Sequence, residues 1–172
     1  LLGSAREDLG GSEYLKVMHA REQGSPPYLS FDTEQALHDC LLSLIRDGLL
    51  QSAHDCSDGG LTVTLAESCI SGPGQPLGAV VQLSRGRLRK DAMLFGESQS
   101  RVVISSQSTH RQTILDQARR FGVPAEMIGS VTGTRLTVHL REGASAESVI
   151  DQPVTALYDQ WACSLERAVH HA

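Results

Sequence analysis

The sequence HDCSDGGL occupies residues 54–61, and a segment that can form an amphipathic helix follows it. Ser57 and Asp58 are residue types that cap helix N-termini, and Gly59 and Gly60 let the backbone approach a ligand closely. Exposed N–H groups at a helix start attract anions. The stretch therefore predicts a phosphate-facing turn suited to a nucleotide or a phosphorylated metabolite, although a capped helix after a tight turn would need many of the same residues simply to fold.

The segment after this turn is compatible with a strand or a helix. Residues 61–65 alternate apolar and polar side chains, as a strand would. Over a longer window, one helical face collects the apolar residues Leu61, Leu65, Cys69 and Ile70. Gly72 and Pro73 then supply a stop. We therefore predict a helix here.

Further helices are predicted from capping and periodicity. Asp32 with Gln35, and Thr109 with Gln112, have the spacing of capping boxes, and they predict helices over residues 33–47 and up to Gly122. Shorter helices are predicted over residues 14–18 and 91–95. At the C-terminus, helical spacing of Val154, Leu157, Trp161, Leu165 and Val169 predicts a helix that covers the core, with Trp161 as a packing residue.

Strands are predicted over residues 79–83 and 101–105. Residues 127–132 and 135–140 indicate a hairpin around Gly133 and Thr134. A hairpin makes neighbouring strands antiparallel, which disfavours a uniformly parallel sheet. The predicted fold class is therefore α+β, with a mixed β-sheet packed with helices.

Composition excludes several classes of partner. The chain has 172 residues, 40% of them hydrophobic, and a formal net charge of -5. There is no basic stripe for nucleic acid, and no apolar stretch near the roughly 18 residues that a membrane span needs. No secretory signal is present, so a cytoplasmic location is expected. The opening Leu1 suggests a piece excised from a longer protein.

The cysteines do not predict a metal site. The four cysteines are widely spaced and include no C-x-x-C pair. His54 and Cys56 could ligate a metal only with distant help, so no metal ligand is assigned. Cys40, Cys69 and Cys163 lie in helical patterns where small buried side chains are expected.

Three ordered motifs, with Leu2 and Gly3, resemble the phosphoribosylformylglycinamidine synthase family. They are DLGGSEYL at residues 8–15, SAHDCSDGGL at 52–61 and LFGESQSR at 94–101. The likeness spans nearly the whole chain. It implies an aminoimidazole-ribonucleotide-synthetase-type C-terminal domain over residues 26–172, the second copy of that domain in the synthetase, with residues 1–25 as the tail and linker of the preceding N-terminal-type domain.

The resemblance implies a part in an ATP-dependent ligase of purine biosynthesis. The family converts formylglycinamide ribonucleotide, ATP and glutamine-derived ammonia to formylglycinamidine ribonucleotide, ADP and phosphate. ATP and Mg²⁺ are then cofactors of the parent enzyme, and none is assigned to this chain by itself. The implied partners are the other synthetase domains, a glutaminase subunit or domain, and a second copy of the chain.

The resemblance also assigns candidate site residues. Glu97, Ser98 and Gln99 match a motif whose first-half copy contacts the ribonucleotide substrate, so they are candidates for a substrate site or pseudo-site. Residues 57–60 are candidates for nucleotide or phosphate binding. The family's catalytic histidine and magnesium ligands belong to N-terminal domains, so no catalytic or metal residue is expected here, and His54 is assigned to a cap or buried hydrogen bond.

Three functions remain open at this point. The chain could contribute one wall of an interdomain nucleotide site. It could instead be a non-catalytic scaffolding or dimerisation domain whose pseudo-site holds a structural nucleotide or nothing. An unrelated regulatory α+β domain would fit the fold signals but leave the three motifs unexplained. The first two differ in whether the Gly59–Gly60 turn offers free N–H groups or is sealed by packing.

Overall fold

The chain divides into two structural units. One contains Leu1–Thr64 and Arg87–Met127, and the other contains Leu65–Gly86 and Ile128–Ala172. The structure is a computed structural model that describes residues 1–72, 74–84, 86–143, 145–164 and 169. Within those residues, no helix is long and apolar enough to cross a membrane.

The secondary structure alternates irregularly along the chain. The helices are α1 (Glu13–His19), α2 (Phe31–Arg46), α3 (Gly60–Ile70), α4 (Lys90–Phe95), α5 (Arg111–Arg120) and α6 (Val154–Ala162). The strands are β1 (Ser52–Asp55), β2 (Ala79–Ser84), β3 (Val102–Ser105), β4 (Gly129–Val131), β5 (Arg135–Glu142) and β6 (Ser145–Pro153). A short 3-10 turn over Ser108–His110 precedes α5. The helix predicted after the glycine pair is confirmed as α3.

The first unit has a two-stranded sheet and its own core. Strands β1 and β3 are antiparallel, with Ser52 opposite Ser105 and Asp55 opposite Val102. The core residues lie in α2, α5 and β3, together with Leu2 and Val123: Leu2, Leu37, Cys40, Leu44, Val102, Ile114, Ala118 and Val123. On α2, Leu37, Cys40 and Leu44 are buried, whereas Ile45 is 51% exposed.

The second unit has a mixed four-stranded sheet in the order β4-β2-β5-β6. Strands β2 and β5 are parallel, and the pairings β2–β4 and β5–β6 are antiparallel. Alternate residues of β2 and β5 are buried on one face: Ala79, Val81, Leu83, Leu136, Val138 and Leu140. The predicted fold class, a mixed sheet packed with helices, is confirmed.

The predicted hairpin over residues 127–140 is wrong. Strand β2 lies between β4 and β5, so these two strands are not paired with each other. The backbone around Gly78 explains this order, because its N–H donates to the carbonyl of Gly133 and its carbonyl accepts from Thr132. The true hairpin joins β5 to β6. Strand β6 was missed because its sequence, SAESVIDQP, has little apolar alternation.

Both predicted capping boxes are wrong. Helix α2 begins two residues earlier than its box implied, and the hydroxyl of Ser30 accepts a hydrogen bond of 3.3 Å from the N–H of Thr33. Thr109 lies inside the 3-10 turn, and α5 starts after His110 without a side-chain cap. Nearby hydroxyl and carboxylate residues offer several cap positions, and only the backbone path selects one.

The C-terminal helix covers less of the core than predicted. Val154 at its start is buried, whereas Trp161 is 55% exposed, so the prediction of Trp161 as a packing residue is wrong for this chain. Helix α6 ends at Ala162. Leu165, which the periodicity also included, lies outside the described residues.

The core of the first unit predicts a clear mutational contrast on α2. Leu44 is fully buried, and Leu44→Ala should lower the free energy of unfolding by about 2–5 kcal/mol through lost burial and a residual cavity. Leu42 on the same helix is 47% exposed, so Leu42→Ala should cost less than about 1 kcal/mol. Chemical denaturation of both variants measures the difference, and equal losses would contradict this core assignment.

Candidate functional site

The carboxylate of Glu97 joins two segments of the first unit. Its Oε1 accepts a hydrogen bond of 2.8 Å from the N–H of Gly59 and one of 2.9 Å from the N–H of Glu13. Glu13 is the first residue of α1, and Gly59 lies in the turn before α3. Hydrogen bonds from N–H groups to an ionised carboxylate are stronger than those between neutral groups. The turn and the start of α1 are therefore held by one side chain.

Local structure delivers Glu97 to this position. Helix α4 ends at Phe95, and Gly96 leaves it in an extended conformation. A Cβ on Gly96 would lie 2.4 Å from the carbonyl oxygen of Ala92, so a side chain has no room there. The N–H of Glu97 then donates to the carbonyl of Asp8 over 3.0 Å. The glycine at position 96 thus allows the tight turn that places the side chain of Glu97 next to Gly59 and Glu13.

Arg101 supports the same loop from inside the unit. Its side chain is only 1% exposed. The guanidinium donates to the carbonyls of Ser98, at 3.0 Å, and Gly96, at 2.5 Å, which flank Glu97 on either side. Burial lowers the pKa of Arg101 below its usual value. The Nη1 atom of Arg101 and the Oδ2 atom of Asp8 are buried without a hydrogen-bond partner.

Ser98 and Gln99 have different environments. Ser98 is fully buried, and its hydroxyl accepts a hydrogen bond of 3.0 Å from the N–H of Arg6. The side chain of Gln99 is exposed and donates to the carbonyl of Glu97 over 3.3 Å. The loop thus buries the hydroxyl of Ser98 and leaves the side-chain amide of Gln99 at the surface.

The glycine turn is closed around its own backbone. Gly59 has a φ of +77° and Gly60 a φ of +69°. A Cβ on Gly60 would lie 2.5 Å from the carbonyl oxygen of Gly96 and 2.7 Å from the carbonyl carbon of Phe95. The N–H of Gly60 donates to the carbonyl of Ser57. Both glycine N–H groups are therefore engaged within the chain, while the Ser57 and Asp58 side chains are exposed.

The structure brings the two sequence-predicted site motifs together in one unit. Glu97 contacts Gly59 directly, a pairing that the sequence did not indicate. Binding of a phosphate or a ribonucleotide by these motifs stays a prediction. Arg101 and Asp8 were not predicted as site residues. The signal available for Arg101 was an arginine directly before the apolar run of β3.

His54 and Cys56 are part of the local framework. The Nδ1 atom of His54 lies 2.9 Å from the carbonyl oxygen of Asp55. Cys56 is 5% exposed, and burial raises the pKa of its thiol. Its N–H donates to the carbonyl of Arg101, which extends the pairing of β1 with β3. Among the described residues, no group of three His, Cys, Asp or Glu could hold a metal ion.

An aromatic contact that the sequence analysis missed adjoins the loop. The rings of Tyr14 in α1 and Phe95 in α4 are stacked, with centroids 4.9 Å apart and planes 7° apart. Offset aromatic pairs contribute about 0.5–1.5 kcal/mol beyond their burial. This contact reinforces the link that Glu97 makes between α1 and the end of α4.

Alanine variants of Gly60 and Gly48, which have similar φ angles, distinguish the effect of steric exclusion on stability from the effect of backbone strain. Gly60→Ala meets both a left-handed φ and two backbone atoms, whereas Gly48 has a φ of +67° and nothing within 4 Å of an added Cβ. Gly48→Ala should cost about 1–2 kcal/mol, and Gly60→Ala clearly more. Thermal and denaturant unfolding of both variants measures the difference. Equal destabilisation by the two substitutions would contradict the close backbone contacts around Gly60.

A protein-family comparison matches most of the chain. Residues 1–141 match the family described as "AIR synthase related protein, C-terminal domain". Curated relatives carry the name phosphoribosylformylglycinamidine synthase subunit PurL. The relative from Alkaliphilus metalliredigens is 36% identical over 96% of this chain and 21% of its own length. The one from Moorella thermoacetica is 42% identical over 81% of this chain and 19% of its own length.

Solved structures share the fold. PurL of Thermotoga maritima complexed with FGAR has a TM-score of 0.72 at 22% identity, over 91% of this chain and 27% of that one. The same protein complexed with ATP has a TM-score of 0.63 at 23% identity, over 91% and 24%. PurLQS from Thermotoga maritima has a TM-score of 0.60 at 23% identity, over 91% and 27%.

The chain spans about a fifth of the length of the curated relatives it matches. The match to the family nevertheless covers residues 1–141 and takes in all three motifs that the sequence analysis quoted. The chain therefore belongs to the family of AIR synthase related proteins, C-terminal domain.

Proposed function

We propose that the chain is the C-terminal part of the synthetase subunit of a phosphoribosylformylglycinamidine synthase. That enzyme is an ATP-dependent carbon–nitrogen ligase that makes formylglycinamidine ribonucleotide, ADP and phosphate. The observation that carries the proposal is the 36% identity over 96% of the chain to a subunit of that name. Residues 1–25 would be the tail of a preceding domain, and residues 26–172 the C-terminal-type domain.

Within that enzyme, the geometry favours a scaffolding role for this domain. Oε1 of Glu97 accepts hydrogen bonds from two backbone N–H groups, one of which is the N–H of Gly59, and Ser98 is buried. Groups that are satisfied within the chain stabilise the chain rather than select a ligand. Catalytic groups would then come from other domains of the synthetase, and the isolated chain should be inactive.

The proposal includes the cofactors and partners of the whole enzyme. ATP and Mg²⁺ would bind the parent synthetase, and a glutaminase subunit or domain would supply ammonia. The similarity to Thermotoga maritima PurL complexed with ATP and to PurLQS supports a nucleotide and further subunits. Association with a second copy of the chain and a cytoplasmic location belong to the same proposal.

A chimeric enzyme tests this function. Residues 1–172 would replace the matching segment of the Alkaliphilus metalliredigens subunit, assayed with its own glutaminase partner. We expect amidine formation that depends on formylglycinamide ribonucleotide, ATP and glutamine, because the chain is 36% identical to this subunit over 96% of its length.

The subunit without the segment is the negative control, and the unaltered subunit is the positive one. A chimera that is soluble and assembles like the unaltered subunit, yet forms no product, would contradict the proposal. A chimera that fails to assemble would also count against it, because the scaffolding role requires assembly.

The second candidate function is a nucleotide half-site at residues 57–60. The exposed side chains of Ser57 and Asp58 beside two glycines with positive φ favour it. A helix start contributes only about 0.3–1 kcal/mol toward binding an anion. The remaining affinity would come from cations or metal supplied by other domains.

Calorimetric titration of ATP with Mg²⁺ into the chimeric subunit, which contains the other domains, tests this second function. Ser57→Asp adds a negative charge at an exposed turn position without entering the closed backbone, so it should weaken any saturable binding. Ser106→Asp makes the same charge change beyond the opposite end of the β1–β3 pair and should leave binding unchanged. Equal ATP binding by the two variant chimeras would contradict the half-site.

A further inference from the structure

One carboxylate oxygen connects segments that are distant in the sequence. Oε1 of Glu97 accepts from Glu13, 84 residues away, and from Gly59, 38 residues away. Both bonds are partly buried and shorter than 3 Å. Ionised acceptors in such surroundings bind N–H groups strongly, since water competes poorly there.

The main chain around Glu97 is held on both sides. Its own N–H donates to Asp8, and the hydroxyl of the next residue, Ser98, accepts from the N–H of Arg6. The guanidinium of Arg101 binds the carbonyls before and after Glu97. These bonds hold the main chain of the loop, so rotation about the side-chain torsions of Glu97 is the simplest way to release its carboxylate.

We propose that Glu97 is an internal latch that closes the glycine turn. Its carboxylate takes the N–H of Gly59 that an approaching external anion would need, so the turn accepts no such anion until Glu97 rotates away. Arg101 is the positioning residue of this latch, because its guanidinium donates hydrogen bonds to the carbonyls on both sides of Glu97 and so fixes the loop that carries Glu97. The latch is a contact within this chain and is independent of the activity of the whole enzyme.

Amide exchange in the chain tests the latch. In Glu97→Ala, the amide protons of Glu13 and Gly59 should exchange faster by about tenfold or more, since each loses a bond to a charged acceptor. Added formate, a free carboxylate, should restore their protection in this variant. Glu22 is exposed, so Glu22→Ala should change neither amide and serves as the matched control.

A conservative variant keeps the test decisive if Glu97→Ala does not fold. Glu97→Gln retains an oxygen acceptor and removes the charge, so the amide proton resonances of Glu13 and Gly59 should both move upfield. Arg101→Lys leaves Glu13, Gly59 and Glu97 unaltered in sequence. It should still move the amide resonances of Glu13 and Gly59, as a positioning role for Arg101 requires. Unchanged Glu13 and Gly59 resonances in folded Glu97→Gln would overturn the proposal.

Inorganic phosphate tests the closed state directly. Titrated into the unaltered chain, it should leave the Gly59 amide resonance in place, because the Glu97 carboxylate already occupies that donor. A saturable phosphate-induced shift of Gly59 in the unaltered chain would overturn the latch. That outcome would leave the scaffolding role of the domain to be decided by the chimera.

Discussion

The paired hydrogen bonds from Glu13 and Gly59 to the carboxylate of Glu97 are the contact on which the candidate site depends. They bring the start of α1 and the turn before α3 to the end of α4. Each of these segments is short or lacks an extensive core of its own. Neither bond is local in sequence, so their formation requires the first unit to fold as a whole. A charged acceptor shared by two donors makes that assembly specific, because a misplaced segment would leave a partly buried carboxylate unpaired.

Buried Arg101 holds the loop that makes this contact, because it binds the carbonyls on both sides of Glu97. A cation that is 1% exposed loses its hydration, and the carbonyls of Gly96 and Ser98 replace only part of it. The unpartnered Nη1 of Arg101 and Oδ2 of Asp8 show that this compensation is incomplete. The fold thus carries an energetic cost inside the unit in order to hold the loop that presents Glu97.

Sequence periodicity predicted most elements, but the one strand pairing predicted from the sequence is wrong. The apolar faces of α2, α3 and α5 follow from the 3.6-residue repeat, and β2 and β3 from runs of β-branched residues. The hairpin prediction failed because adjacency along the chain suggested pairing, whereas backbone bonds at Gly78 place β2 between β4 and β5. Strand β6 forms because β5 offers it a long edge, and not because its own sequence favours a strand.

The sequence by itself determined most of the element types, the mixed α+β class and the three family motifs, because these depend on residue spacing within short windows. It also placed Gly59 and Gly60 where positive φ is needed. Only the tertiary structure decided that Glu97 closes the glycine turn and that Arg101 lies buried beneath the loop. The two hydrogen bonds to Glu97 join residues that are 38 and 84 positions apart, and no local pattern specifies which distant N–H group a carboxylate will meet.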